Sequence, residues 1–407
     1  MKPKLLWISL CAPYDNVGHG GGKTHNYYLK EIQKSNKFDI QLITFCEIDE
    51  FQKAKKDLDS YKINNTIIPW THDINFKNIV RKIQLIDMEY NIFNEYGGAT
   101  NLYYWSCIKE EIEKIDYTPD IIILQWTEIV LFTEKIKRIF PDSKIVVIEE
   151  DVKYLSYRRK AECEQKVLSR YFKCLKLKKL MTAELDSVKL ADLIITYSNK
   201  DKNLLGNAKN KTIVLSPYFQ DLSYIKRNKK PNNEIIFYGA MSRQDNYDSA
   251  IWFIKNVFDT VSKMYDLKFV IIGNKPDKSL FKYASDKIII TGFMEKIDSY
   301  FENSLCLVAP LVSGAGIKIK ILEALSSGIP TLTNDIGIEG IEAKKGRDYF
   351  HCENPKDYIK VISDIINNKV DMKNVFFNSK KTITDNYNLQ NDREVFIDSL
   401  ERMYYGE

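Results

Sequence analysis

The chain has 407 residues, 44% of them hydrophobic, with a net charge of +5. That length is too great for one ordinary core and points to two domains. So small a net charge does not argue for a nucleic-acid binder, whose expected footprint is a clustered basic stripe, and no run approaches the roughly 20 apolar residues that span a bilayer.

The chain opens on Leu5–Leu10, an apolar run that reads as a buried first strand rather than a targeting segment. A glycine-rich loop follows, Tyr14-Asp-Asn-Val-Gly18-His19-Gly20-Gly21-Gly22-Lys23, and then a helical segment over 24–35. Gly18 and Gly20 fit the start of a dinucleotide fingerprint, but Lys23 occupies the third glycine's place, so NAD is not the expected ligand. His19 and His25 are candidate cleft residues, and a tight structural turn is the alternative reading of the loop. Asp57-Leu-Asp59 has a spacing used elsewhere for divalent cations, but it follows Lys-rich sequence rather than a buried strand. No metal site is expected.

Apolar runs at 40–45, 120–126, 144–149 and 192–197 alternate with helical lengths, which predicts a parallel sheet covered on both faces. Glu149-Glu150-Asp151 closes one of these strands. In such sheets ligands meet the carboxyl ends of strands, so Glu150 and Asp151 are candidates for orienting or deprotonating an acceptor. The next segment, 153–179, carries ten Lys or Arg against Glu162 and Glu164. Within it Val167, Leu168, Tyr171, Phe172 and Leu175 recur at helical spacing. One reading packs that apolar side on its own domain. The other sets a basic surface against anionic lipid or a lipid-diphosphate acceptor.

The expected domains are 1–216, a linker at 217–233, a second alternating unit at 234–385, and a C-terminal helix at 386–407 that returns to the first domain. Strands are predicted at Ile235–Tyr238, Phe269–Ile272, Lys287–Thr291, Leu305–Ala309 and Thr331–Thr333, with helices over 246–263, 277–284, 296–303 and 317–327. The expected fold class is therefore α/β, two Rossmann-like domains with parallel sheets facing a central cleft. The odd number of cysteines, at 11, 46, 107, 163, 174, 306 and 352, reads as reduced thiols.

The most informative stretch is Pro310-Leu-Val-Ser-Gly314-Ala315-Gly316-Ile317-Lys318-Ile-Lys320-Ile-Leu-Glu323-Ala. A strand ends, small residues let backbone approach a ligand, and a helix start offers amides to phosphate. Lys318 and Lys320 add positive charge. Glu323 can accept two hydrogen bonds from vicinal hydroxyls. An ordinary amphipathic helix with a surface Lys/Glu pair is the plainer reading.

This run resembles the nucleotide-sugar signature of the glycosyltransferase family 4 (group 1) enzymes, whose fold is GT-B. Thr333-Asn-Asp-Ile-Gly337-Ile-Glu339-Gly340, Phe237-Tyr-Gly239-Ala-Met-Ser-Arg243-Gln-Asp-Asn246 with Trp252-Phe253, and Thr291-Gly292-Phe293 extend the resemblance, with Gly21-Gly22-Lys23 fitting more loosely. The resemblance implies that Glu323 holds the ribose and that Gly292-Phe293 receives the base. It implies that Lys318, Lys320, Arg243 and the amides of Gly314, Ala315, Gly316 and Ile317 hold the diphosphate, with Gly239 close by. Gly21, Gly22, His19 and Lys23 would face donor phosphate and acceptor. The family's first glutamate falls on Ala315 and is absent, and its basic residue after Gly239 is displaced to Arg243.

The implied activity is transfer, with retention, of a sugar from a UDP, GDP or dTDP donor to a glycan or polyprenyl-linked acceptor, without a cofactor. Surface-polysaccharide or glycoconjugate assembly in the cytoplasm, at the inner face of the plasma membrane, is the expected setting. A non-catalytic nucleotide-sugar-binding partner of another transferase, or an epimerase, is the alternative.

Overall fold

The computed structural model describes residues 2–70, 94–228, 230–314 and 316–406. Two compact units emerge, Met1–Pro217 with Leu389–Glu407, and Tyr218–Asn388.

The first unit is built on a seven-stranded sheet in the order β3-β2-β1-β4-β5-β6-β7. Its strands are β1 (Lys4–Ser9), β2 (Asp39–Glu47), β3 (Asn64–Trp70), β4 (Ile121–Gln125), β5 (Lys144–Glu149), β6 (Leu193–Thr196) and β7 (Thr212–Val214). All pair in parallel. Every residue of β4 is buried, as expected of a central strand with helices on both faces. Pro69 is tolerated because β3 is an edge strand, where a missing N–H breaks no ladder. The expected strands at 5–10, 40–45, 120–126, 144–149 and 192–197 are all present. The helix Leu389–Tyr405 belongs to this unit. Its Phe396 packs edge-on to Trp7 and Tyr28, its Asp392 accepts from the Ser216 amide at 2.7 Å, and Arg393 pairs with Glu31 at 2.9 Å.

The second unit has six parallel strands in the order β10-β9-β8-β11-β12-β13. They are β8 (Asn232–Tyr238), β9 (Lys268–Ile272), β10 (Ile288–Gly292), β11 (Ser304–Ala309), β12 (Thr331–Thr333) and β13 (Phe350–His351). The segment expected as a linker at 217–233 is not a free tether. Phe219, Leu222 and Ile225 enter the second unit's core, and Arg227 donates to the carbonyls of Phe301 and Ser304. Three apolar side chains hidden among polar neighbours outweigh the polar composition of that stretch.

One apolar expectation is reversed. The helix Val167–Lys189 buries Leu180, Glu184, Ser187 and Val188, while Val167, Leu168, Tyr171, Phe172 and Leu175 are 85%, 70%, 59%, 50% and 40% exposed. These five do not pack on their own domain. Farther along, Gly97 lies so close to the helix that a Cβ there would sit 2.4 Å from the Lys176 carbonyl oxygen.

All seven cysteines are unpaired thiols. No described helix is long and apolar enough to cross a membrane.

Candidate functional site

In the second sheet the strand order reverses between β8 and β11, the place where open α/β sheets bind ligands. The loop 239–243 leaves β8 there and the loop 310–318 leaves β11. Both feed helices, Gln244–Phe253 and Ile319–Ser327, capped at their starts by Arg243 and Lys318 without a side-chain cap bond.

The loop after β11 owes its shape to glycine. Gly314 has φ +126, and a Cβ there would press on Lys318 Cε at 3.2 Å. Lys318 folds back under the loop, donates to the Gly316 carbonyl at 2.6 Å, and lies 4.0 Å from Glu339. Neighbouring elements brace the same loop. Asn334 donates to the Leu311 carbonyl at 2.8 Å, and the Val312 amide donates to Ser249 Oγ at 3.2 Å. Beside it, Gly273 passes the end of β8 so closely that a Cβ would stand 1.7 Å from the Gly239 carbonyl oxygen. The Gly273 amide in turn donates to the Gly292 carbonyl at 3.1 Å. Gly239, Gly273 and Gly292 therefore form a side-chain-free floor, with the Phe293 ring 74% exposed at its margin.

Lys320 stands over this floor. Its ammonium donates to Asn246 Oδ1 at 2.5 Å and sits 4.7 Å above the Phe237 ring. Burial, and then the charge of Lys318, lower its pKa to about 7, with Arg243 adding and Asp245 opposing. Arg243 is more exposed and pairs with Asp245 at 2.9 Å. Glu323, one turn beyond Lys320, is 2% exposed. It accepts from the Gln220 amide at 3.3 Å and from the Tyr238 hydroxyl. A carboxylate can accept several hydrogen bonds at once. Positive charge held back from its full ionisation, beside a fixed carboxylate, suits an anionic ligand that also carries hydroxyls. Ala315 lies outside the described residues.

The first unit gathers a second set. His19 caps the helix Gly20–Ser35 by accepting from the Gly22 amide through Nδ1 at 3.0 Å. That bond leaves the proton on Nε2. Lys23 lies in the first turn of the same helix, half-buried. A Cβ on Gly21 would meet Glu150 Oε2 at 3.0 Å and the Trp126 ring at 3.5 Å, so the glycine loop after β1 touches the ends of β4 and β5. Trp126 holds φ +72, a costly conformation for a bulky side chain and a mark of a built corner.

Glu150 is anchored from below. Gln125 Nε2 donates to Glu150 Oε1 at 2.6 Å, and Trp7 Nε1 donates to Gln125 Oε1 at 2.9 Å. Burial pushes the Glu150 carboxyl up to about 8, Asp151 adds to this, and the Gln125 bond opposes it. Glu149 is fully buried against Thr127 at 2.7 Å and is raised well above the carboxylate range, by burial and then by Glu184. Asp151 lies part-buried beside this group.

His25 is a core residue. Burial lowers its pKa to about 3, its Nδ1 faces the Cys11 carbonyl at 3.2 Å, and its ring lies against Trp7 and Trp126. Asp57 is taken by Lys30 at 2.6 Å and Asp59 by Lys55 at 2.8 Å, so ion pairs within the unit engage both carboxylates. Asp335, His351 and Glu353 bring ligand atoms within 4.8 Å of one another, although the Asp335 amide already donates to Glu353 at 2.6 Å.

Residues 232–368 match the family model of glycosyl transferases group 1. The matched stretch is about a third of the chain and lies within the second unit. It holds the whole β8–β11 switch point, including Gly239, Arg243, Gly314, Lys318, Lys320 and Glu323. A 44.6 kDa protein of the cps region of Klebsiella pneumoniae is 25% identical over 166 residues, 38% of this chain. The match spans 43% of that relative's length. Among solved structures, HepE of Anabaena in complex with UDP has a TM-score of 0.63 at 12% identity, over 98% of this chain and 100% of that one. Sucrose-phosphate synthase of Thermosynechococcus elongatus has a TM-score of 0.69 at 12% identity, over the full length of both. The likeness covers both units, and the fold class is GT-B.

Sequence reasoning named Asn246 only as the end of a stretch that carries the family resemblance, and did not single out Tyr238, Gln125 or Trp126. Tyr238 and Asn246 both lie inside that stretch, Tyr238 at the end of β8 and Asn246 in the first turn of the helix Gln244–Phe253. Gln125 and Trp126 end an apolar strand, a position from which a side chain points to the switch point. That positional cue was available.

Proposed function

We propose that this chain is a nucleotide-sugar-dependent glycosyltransferase. The observation that carries the proposal is the grouping of Lys320, Lys318 and Arg243 with Glu323 around the glycine floor at the β8–β11 switch point. Glu323 grips the ribose, Phe293 borders the base, and the diphosphate lies over Gly239 against Lys320 and the amides of Gly314, Gly316 and Ile317. As the glycosidic bond breaks, charge grows on the leaving diphosphate, and fixed cations lower that barrier. The UDP bound to HepE of Anabaena supports a uridine donor.

In the first unit, a Glu150 that keeps its proton at neutral pH donates a hydrogen bond to the sugar or acceptor rather than removing a proton. Asp151 or the leaving phosphate then takes the acceptor's proton, the latter being the retaining route that the family resemblance implies. His19 Nε2 and Lys23 orient the acceptor. No metal enters this scheme. The cps-region setting of the Klebsiella relative supports a glycan or polyprenyl-linked acceptor in surface-polysaccharide assembly, met at the inner face of the plasma membrane.

A calorimetric screen of UDP, GDP and dTDP with their sugars tests the proposal, followed by donor hydrolysis. Binding of one nucleotide series that Glu323→Ala weakens is the expected result. Absence of binding across all three would overturn it, and binding without turnover would favour a non-catalytic partner.

A further inference from the structure

The helix Val167–Lys189 carries two apolar stripes on different sides. With 3.6 residues per turn, Leu180, Glu184, Ser187 and Val188 share one side, the side that is buried. Val167, Leu168, Tyr171, Phe172 and Leu175 fall at i, i+1, i+4, i+5 and i+8, roughly opposite. The first stripe meets the unit's own core. The second is turned away from it, and its residues are 40–85% exposed. An apolar patch of this kind marks a contact surface.

The first turns of the helix are stiffened without covering that patch. Glu164 accepts from the Lys166 amide at 3.1 Å, Ser169 Oγ at 2.7 Å and Lys173 Nζ at 2.6 Å. Ser169 and Lys173 lie on the side away from the apolar arc. These bonds hold the Glu164 carboxyl down at about 2, so one of the segment's two acidic charges is spent internally. What remains around the arc is basic. Lys178 continues its side one turn beyond Leu175, and Arg170 lies at its edge next to Val167, both exposed, while Lys179 donates to the Asn94 carbonyl at 3.4 Å. Aromatic and aliphatic side chains rimmed by long cationic ones suit the boundary between lipid headgroups and acyl chains.

We infer that residues 167–175 form a membrane-docking arc that inserts Leu168, Tyr171, Phe172 and their neighbours into an anionic lipid surface, with Arg170 and Lys178 on the headgroups. The inference rests on the proposed transfer reaction only for its purpose, presenting a lipid-linked acceptor to the first unit. The charge excess over 153–179 selects anionic lipid over a second copy of the same basic patch, which would repel it.

The test is cosedimentation of the full chain with vesicles of phosphatidylcholine, with and without phosphatidylglycerol. The wild type is expected to bind the anionic vesicles, and Leu168→Glu with Phe172→Glu to lose at least about tenfold of that binding. Salt should weaken wild-type binding without abolishing it, because screening acts on the cations and not on inserted apolar groups. A Tyr171→Trp chain should show quenching by lipids labelled in the acyl chain. Equal binding by wild type and double variant, or equal binding to neutral vesicles, overturns the inference. So does a wild type that binds neither vesicle but self-associates through these residues. Nucleotide-induced thermal shifts of both chains run alongside. Retained shifts show that the double variant is folded. Loss of shifts in both chains, with vesicle binding intact, would overturn the transfer reading and leave the docking arc standing.

Discussion

Gln125 and Glu150 are locked together across the ends of β4 and β5. The Gln125 amide donates to Glu150 Oε1 at 2.6 Å, and Trp7 fixes which way that amide faces by donating to its oxygen. The carboxyl so held has its pKa pushed up to about 8. It therefore binds a proton in the folded chain that it lacks when unfolded, from its ordinary range near 4.5 up to about 8. The stabilisation is complete below the unfolded pKa and is lost as pH rises through the folded one. Thermal midpoints should fall between pH 5 and pH 9. Glu150→Gln, which keeps the hydrogen-bonding shape without the charge, should be more stable than wild type at pH 9 by roughly 1–2 kcal/mol. Glu184, also raised to about 8, leaves part of the slope in place. Identical pH profiles for the two chains would show that Glu150 ionises normally.

Lys320 should make donor binding depend on pH. Its pKa of about 7 means that it gains its full charge as pH falls through neutrality. A nucleotide diphosphate sugar, a diester, has no phosphate proton to lose in this range, so any pH dependence comes from the protein. Affinity should fall as pH rises from 6 to 8.5. Lys320→Met should flatten the curve and cost roughly tenfold or more at the acid end, the scale of a charge-assisted hydrogen bond. Calorimetry at several pH values reads both effects.

Glu323 and Lys318 should fail differently. Glu323→Ala removes a contact to the nucleoside, present in substrate and transition state alike, and should weaken nucleotide binding by roughly 1.5–3 kcal/mol. Lys318→Ala should lower kcat more than it raises KM, because the charge it meets is greatest as the bond breaks. Its bond to the Gly316 carbonyl means that the loop also loosens. Normal nucleotide binding by Glu323→Ala would make the 314–323 segment a structural loop and helix.

Two glycines with positive φ should respond unequally to alanine. Gly273→Ala forces a Cβ to 1.7 Å from the Gly239 oxygen, a backbone clash that should cost more than about 3 kcal/mol or abolish folding. Gly206, at φ +60 with open space around it, should cost about 1 kcal/mol. Denaturant melts of the two variants separate a steric requirement from a purely conformational one.

Turnover should need no divalent metal, since Asp57 and Asp59 are engaged by Lys30 and Lys55. Activity after EDTA treatment should equal that of the untreated enzyme. A loss restored by manganese would return those two carboxylates to the site.

Much of the fold was legible because buried parallel strands are continuous apolar runs. Leu5–Leu10, 120–126, 144–149 and Leu305–Ala309 needed only that signal. The weaker strands escaped it. Asn64–Trp70 is a polar-flanked edge strand containing Pro69, and Phe350–His351 is two residues long, too short for any period to register. The loop proposed to hold the nucleotide stood out as well, since Gly314, Gly316, Lys318, Lys320 and Glu323 lie close together in the chain and their expected chemistry depends on local spacing.

The sequence by itself determined which stretches are strands, where phosphate-friendly backbone occurs, and that 167–175 carries an apolar arc of helical period. Only the tertiary structure decided which way that arc faces, because periodicity defines a stripe on a helix but not what the stripe meets. It also decided that Trp7, Gln125 and Glu150, from three strand ends far apart in the chain, form one hydrogen-bonded line. It gave Lys320 its lowered pKa through burial beside Lys318. Proton affinities depend on how far a charge lies from water and from other charges, and those distances are set by packing.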